Sequence, residues 1–415
     1  MFGCTLACAD RLREGSWHRS ATVGTMRTRH TLAVVLTAAL AAAGCATNDS
    51  SDVASSSGAE EAVTSESRIT TPSAEPLPTT AAVCGDDLLA SLTGRQKLAQ
   101  LLNVGVTGAD DALAIVQSEQ IGGIFIGSWT DPAMLSERQV QDVAEQSPLP
   151  LMVTIDEEGG RVSRVGALLG PDPSARVTAE TMTVEQTYRM ALERGRELRD
   201  LGITVDFAPD VDVSSQPDDS VIGDRSFSAD PLVVVEYAGA YAQGLRDAGI
   251  MPVLKHFPGH GSASGDSHTG AVTAPPLEQL EQVDLVPYRS LVAPDVGVML
   301  GHLDVPGLTG GLPASISPEA VELLRSGSYG APEFDGVIFT DDLSGMRAIT
   351  DTYDITEAVE AALVAGVDQA LWLTTAEVPE VLDHLEQSVA SGELPQSRVD
   401  DAVRTVARAK GAVDC

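Results

Sequence analysis

The segment GVIFTDDLSG at positions 336–345 sets a short β-branched run, 337–340, directly against two aspartates. A run of that length between turn residues reads as a buried strand, and charged groups at its end read as chemistry carried on a rigid support. The pattern recurs. Run 151–155 is followed by Asp156 and Glu157, run 204–208 by Asp210 and Asp212, and run 251–256 closes on Lys255 and His256. His302 follows run 297–300, and runs 101–106, 123–126 and 369–373 complete the set. Amphipathic stretches such as 134–144, 184–201, 231–248 and 355–365 lie between them. Strands that alternate with helices pair in parallel, because a parallel pair needs a crossover connection. Right-handed crossovers leave two architectures, a (β/α)8 barrel of the TIM type or a doubly wound sheet. A doubly wound sheet gathers its ligand groups at one switch point, whereas a barrel draws them from the ends of many strands. The distribution of polar residues favours the α/β barrel. No G-x-G-x-x-G or P-loop pattern opens a helix after a strand, so phosphate cradling finds no support.

A second stretch, KHFPGHGSASGDSH at 255–268, holds one of the three lysines of the chain and three of its seven histidines. Three readings compete. His256 and His260 are four apart, the spacing of a helical metal pair, but Pro258-Gly259 between them breaks a helix and removes the meaning of the spacing. Buried histidines satisfying a loop are the bland reading, weakened by the number of histidines in so short a segment. Acid–base catalysis is the third. Asp266 and His268 are two apart, so an extended segment projects both side chains to one side. A carboxylate there fixes the imidazole tautomer, which suits proton transfer near neutral pH. A proton donor needs a nucleophile beside it. Asp341 offers a carboxylate at a strand end, and the alternative is a helix N-cap, which either Asp341 or Asp342 satisfies. Two adjacent aspartates allow one to cap and one to react.

These two segments together resemble the β-N-acetylglucosaminidases of glycoside hydrolase family 3. LTGRQKLAQLLNVG (92–105), IDEEGGRVSR (155–164), GDRSFSADP (223–231), the FAP of DFAPDVDV, GHLDVPGL and PASIS (313–317) look like family blocks as well. The resemblance covers residues 90–412, and the histidine loop is specific to this subgroup. It implies that Asp341 is the nucleophile of a covalent glycosyl-enzyme, and that His268, oriented by Asp266, is the acid/base. It further implies that Asp156, Arg164, Arg225, Lys255 and His256 hold the hydroxyls and acetamide of N-acetylglucosamine. No metal and no cofactor is implied. Histidine in place of a carboxylate acid is chemically reasonable, because a neutral base beside the glycosyl ester adds no repulsion. The sequence departs from the family at Asp206, where Asn is usual, at Asp210, where an apolar residue is usual, and at Gly345, inserted before Met346. These departures bear on the sugar pocket.

The ends of the chain carry a different message. Residues 1–25 lack apolar periodicity and read as a leader upstream of a better start at Met26. The basic MRTRH at 26–30, an apolar run over 32–43 and Gly44-Cys45 have the order of a secretory signal, and the run is too short to span a bilayer. Ala42-Ala43-Gly44-Cys45 resembles a bacterial lipobox, so residues 26–44 are expected to be removed and Cys45 lipidated. Residues 45–83, rich in Ser, Thr, Ala, Glu and Pro, read as a disordered tether, and residues 84–415 as the catalytic barrel. Cys84 and Cys415 bound that domain and are expected to pair in an oxidising compartment, free surface thiols being the alternative. From Cys45 onward the chain carries 21 basic and 58 acidic residues. So acidic a surface repels nucleic acid and anionic headgroups, so neither is expected as a direct partner.

The expectation is a retaining exo-β-N-acetylglucosaminidase, outside the cytoplasmic membrane and held to it only by its lipid, or secreted. It would act as a monomer on peptidoglycan fragments of the N-acetylglucosaminyl–N-acetylmuramic acid type, in cell-wall turnover. A β-N-acetylglucosaminide phosphorylase and a non-catalytic saccharide-binding lipoprotein are the alternatives.

Overall fold

The structure, a computed structural model, describes residues 84–413. Ten strands run β1 Leu102–Gly105, β2 Gly123–Ile126, β3 Met152–Ile155, β4 Val205–Asp206, β5 Met251–Phe257, β6 Val272–Thr273, β7 Gly297–Leu300, β8 Leu303–Asp304, β9 Ile338–Thr340 and β10 Ala370–Trp372. Eight of them form one parallel sheet in the order β10-β1-β2-β3-β4-β5-β7-β9. The ring closes between β9 and β10 through the parallel bridge of Phe339 with Gln369, where Thr340 N–H donates to the Gln369 carbonyl at 3.1 Å. The result is the (β/α)8 barrel. All eight expected runs are strands of it: 123–126 and 297–300 are unchanged, β5 runs one residue further, and the other five are shorter by one or two residues at one or both ends.

The strands read as short apolar runs because both faces are buried, one in the barrel interior and one beneath the helices. Inside, Phe207 stacks on Phe125 at 5.8 Å between centroids and meets Phe339 edge-on at 5.3 Å. The helices start and stop where local chemistry dictates. Val184–Asp200 opens with a Thr183–Gln186 capping box. Pro231–Ala248 has Asp230 as its cap and Pro at its first position. Ile355–Ala365 opens with an Asp354–Glu357 box and closes on Gly366 at φ 113°. The helix expected over 134–144 is instead two, Ala133–Ser136 and Gln139–Glu145, separated where Arg138 takes a left-handed φ of 59°.

Two strands were not foreseen. β6 and β8 form a separate parallel pair, Val272 with Leu303 and Thr273 with Asp304. Each has only two residues, too few to show periodicity. Their effect is to tie the far end of the 255–268 loop to the segment after β7. Ser264 N–H also donates to the Thr273 carbonyl at 3.0 Å, so the loop folds back on its own exit.

The leader 1–25, the signal 26–44, Cys45 and the tether to residue 83 lie outside the described residues. Cys84 is disulfide-bonded; Cys415, the partner expected for it, lies outside them as well. Among the described residues no helix is long and apolar enough to cross a membrane.

Candidate active site

A cavity of about 440 Å³ opens at the C-terminal ends of the strands, within the usual range for small-molecule sites. Asp156, Arg164, Arg225, Lys255, His256, Asp266, His268 and Asp341 all line it. They arrive on four segments of the chain, Asp156 and Arg164 after β3, Arg225 after β4, Lys255 to His268 on β5 and its loop, and Asp341 after β9, so the barrel brings together eight positions spread over 186 residues of sequence.

At the floor, Lys255 is 2% exposed and its Nζ lies 2.6 Å from both Asp156 Oδ1 and Glu158 Oε1. Burial opposes charge on this lysine, but the Asp156 and Glu158 carboxylates outweigh it and hold the ammonium protonated. Arg225 grips Glu158 with two bonds, Nε to Oε2 at 2.8 Å and Nη2 to Oε1 at 2.7 Å. Burial alone would raise the pKa of Glu158, yet Arg225 and then Lys255 hold it well below the usual carboxylate range. Arg164 Nη2 reaches the other oxygen of Asp156 at 3.3 Å. The outcome is an alternating array of fixed charges with the Asp156 carboxylate partly exposed at the cavity wall.

His256 takes its orientation from both sides. Arg225 Nη2 lies 3.3 Å from its Nε2, and its Nδ1 lies 2.7 Å from Asp212 Oδ2. A guanidinium only donates, so Nε2 accepts and the hydrogen sits on Nδ1, shared with Asp212. Burial raises the pKa of Asp212, but the imidazoles of His256 and His260 and the His260 main-chain N–H, 2.6 Å from Oδ1, hold it below normal. Simple alternation along β5 would send Lys255 and His256 to opposite faces. Both reach the cavity because the pairing with β7 slips between Leu254 and Phe257.

At the rim, His268 Nδ1 lies 2.8 Å from Asp266 Oδ1, and the same oxygen accepts the His268 main-chain N–H at 2.9 Å. The pair was expected from an extended segment. It sits instead in a turn, closed by Thr269 N–H to the Asp266 carbonyl at 2.9 Å, so a local Asx-type turn brings the groups together. Burial is the largest single influence on Asp266 and opposes its charge, but the two His268 bonds, with the nearby His268 and His260 rings, together outweigh it and lower the pKa. The His268 side chain is 56% exposed.

Asp341 and Asp342 divide the work. Asp342 Oδ1 accepts from Ser344 N–H and Oγ–H, both at 2.8 Å, and Oδ2 from Gly345 N–H at 2.8 Å. It caps a turn, where a helix N-cap was expected; the helix begins later, at Arg347–Thr350. Asp341 Oδ1 accepts one main-chain N–H, from Asp342 at 2.9 Å, and its other oxygen has no hydrogen-bond donor among the described residues. Burial works against its charge, but His256, His302 and the Asp342 N–H keep it ionised below the ordinary range. His302 supports the segment from beneath: Nε2 donates to the Asp342 carbonyl at 2.8 Å while Nδ1 accepts from Ser315 Oγ–H at 2.7 Å.

Some expectations need correction. Glu157 follows β3 as foreseen, but its carboxylate turns away to cap Ser163, Arg164 N–H and Val165 N–H. Asp206 is fully buried, accepts from Glu157 N–H at 2.9 Å and does not line the cavity, so this departure does not touch the sugar pocket. Asp210 is buried 3.6 Å from Arg225 and supports the guanidinium from behind. Gly345 leaves room for the Asp342 carboxylate, since a Cβ there would come within 2.4 Å of Oδ2. Glu158 and Trp129 were not singled out for the site, and Asp212 was noted only among the polar groups behind a strand, without a role. Glu158 and Asp212 each follow a strand by a few residues, which was the available signal.

Asp210, Asp212 and His256 bring three ligand atoms within 4.8 Å of one another. Arg225 already faces two of these residues, and Asp212 already takes the His256 ring hydrogen. The trio is therefore fitted to a guanidinium rather than to a dication.

Residues 93–409 match the family described as the glycosyl hydrolase family 3 N terminal domain. The chain is 59% identical over 345 residues to the β-hexosaminidase LpqI of Mycobacterium tuberculosis, covering 82% of this chain and 88% of that one. The solved structure of LpqI superposes with a TM-score of 0.78 at 58% identity, over 80% of this chain and 97% of the other. A family 3 β-N-acetylglucosaminidase from Paenibacillus superposes with a TM-score of 0.71 at 34% identity, over 77% of this chain and 62% of the other.

Proposed function

The chain belongs to glycosyl hydrolase family 3 and is a β-hexosaminidase, and on that premise we propose that it works as a retaining exo-β-N-acetylglucosaminidase through Asp341 and His268. The observation that carries this reading is the pairing in one cavity of an ionised carboxylate with one undonated oxygen and an imidazole held by a carboxylate.

The steps follow from the geometry. Asp156, Arg164, Arg225, Lys255 and His256 present fixed donors and acceptors to the terminal sugar, so its hydroxyls and acetamide exchange water for a prepared array. Asp341 attacks the anomeric carbon while His268 Nε2–H protonates the departing glycosidic oxygen, breaking the carbon–oxygen bond and leaving a glycosyl ester on Asp341. His268 Nε2, now neutral, takes a proton from water, whose oxygen displaces Asp341 from the same carbon. Two inversions give retention. Asp266 holds Nδ1–H throughout, so the reacting proton is always on Nε2.

We assign the substrate to peptidoglycan fragments bearing terminal β-linked N-acetylglucosamine, in cell-wall turnover, with the protein acting as a monomer tethered through Cys45 outside the cytoplasmic membrane. The support is the lipobox-like Ala42-Ala43-Gly44-Cys45 and the acidic composition. Proton NMR of the first-formed product, combined with trapping by a slow 2-fluorinated glycoside and peptide mapping, tests the mechanism. A β-anomer and a label on Asp341 are expected. An α-anomer, or a label elsewhere, overturns the assignment. Release of sugar 1-phosphate only in the presence of phosphate would make the protein a phosphorylase.

A further inference from the structure

Trp129 is the one aromatic residue among the exposed large hydrophobic side chains of the described residues, at 41% exposure, and it lines the cavity that holds Asp341 and His268. We propose that its indole face is the platform of the leaving-group subsite, stacking on the pyranose ring that departs when the glycosidic bond breaks. The inference rests on the glycosidase reading above and extends it to the sugar beyond the scissile bond.

Depth assigns the subsite. Lys255, His256 and Asp341, which serve the terminal sugar, are 2%, 5% and 8% exposed and form the floor. His268 must reach the glycosidic oxygen, and its side chain is 56% exposed at the rim. A ring attached through that oxygen therefore lies at rim level, the level of Trp129.

The indole is seated before any ligand arrives. Its ring meets Phe125 at 5.9 Å and an interplanar angle of 48°. It also covers the open face of Gly127, where a Cβ would fall 2.4–2.5 Å from three of its ring atoms. The loop itself is fixed: Thr130 Oγ–H donates to the Val106 carbonyl at 2.7 Å, and Oγ accepts from Gly127 N–H at 3.0 Å. Asp131 N–H donates to the Thr107 carbonyl at 2.9 Å. A rigid aromatic surface binds the apolar C–H face of a pyranose with little ordering cost and displaces no hydrogen bond. A short alkyl aglycone gains nothing from it.

Steady-state kinetics on the full chain test this with N,N′-diacetylchitobiose and methyl β-N-acetylglucosaminide as substrates and N-acetylglucosamine as a competitive inhibitor. Trp129→Ala is expected to lower kcat/KM for chitobiose roughly three- to tenfold. The methyl glycoside and the inhibition constant of the free sugar should stay within about twofold. Trp129→Phe should recover part of the loss. Gly127→Ala, which keeps the indole but pushes it off its seat, should reproduce the selective loss and serves if Trp129→Ala does not fold. Equal weakening of all three probes, or no change in any, overturns the proposal. A wild-type chain that turns over neither substrate overturns the hydrolase reading itself, and the inference with it.

Discussion

Asp342 takes three hydrogen bonds on its carboxylate, whereas Asp341, its neighbour in sequence, takes one. The arrangement predicts different outcomes for two isosteric changes. Asp341→Asn removes the attacking oxygen and leaves the turn intact, so kcat should fall by at least about a thousandfold with an unchanged melting temperature. Asp342→Asn disturbs the turn through Ser344 and Gly345, so it should cost about 1–2 kcal/mol of stability and only part of the activity. Urea unfolding and turnover of a chromogenic N-acetylglucosaminide, measured on both variants, separate the roles. Near-normal turnover by Asp341→Asn would remove it as nucleophile.

The exposed Asp266–His268 pair predicts dependence on the leaving group. His268→Ala deletes the proton donor, and a loss of about 10²- to 10⁴-fold is expected for disaccharides that need protonation. An activated aryl glycoside, whose leaving group departs as a stable anion, should lose far less in the first step. Asp266→Asn keeps the ring in place but frees its tautomer, so its effect should run in the same direction. A uniform loss across leaving groups of different acidity would mean that His268 does not donate the proton.

Glu158 faces Lys255 and Arg225 at the cavity floor, and all three are largely removed from water. Removing one partner of a buried pair leaves the others uncompensated, which costs about 3–5 kcal/mol. Glu158→Ala should therefore unfold at markedly lower urea and also raise KM, because Lys255 and Arg225 lose the anchor that aims them. Unchanged stability would show that the cluster relaxes or hydrates without difficulty.

What sequence could and could not show follows from the length scale of each signal. The eight strands were legible because burial on both faces leaves unbroken apolar runs, and the groups behind them were legible as polar interruptions. The pairing of Asp266 with His268 was also visible, although a turn rather than an extended segment produces it. Three features were hidden. β6 and β8 are too short for any pattern, and the slip in β5 that turns both Lys255 and His256 inward depends on pairing with a distant strand. The third is Glu158: the choice between Glu157 and Glu158 is made by Arg225, 67 residues away.

Asp284 lies beneath the 255–268 loop, 1% exposed, and neither carboxylate oxygen has a hydrogen bond of good geometry, its own N–H and Ser262 offering only weak ones. Gly259, at φ 136°, passes so close that a Cβ there would stand 2.4 Å from the Asp284 Cβ. Burial, reinforced by the nearby Asp212, pushes the Asp284 carboxyl up to about 7. Its pKa is thus raised on folding from an ordinary value of 3.8, and the sign follows. Below about pH 4 both folded and unfolded chains carry the proton, and the group costs nothing. As pH rises toward 7 the unfolded chain ionises while the folded one holds its proton, so stability falls by up to about 4 kcal/mol and then levels off. Asp284→Asn removes the titration without changing the volume. The variant should match the wild type near pH 4 and exceed its stability by a few kcal/mol at pH 8, as read from urea unfolding across that range. Parallel curves for the two proteins would show that this carboxyl ionises in the folded state as it does in water.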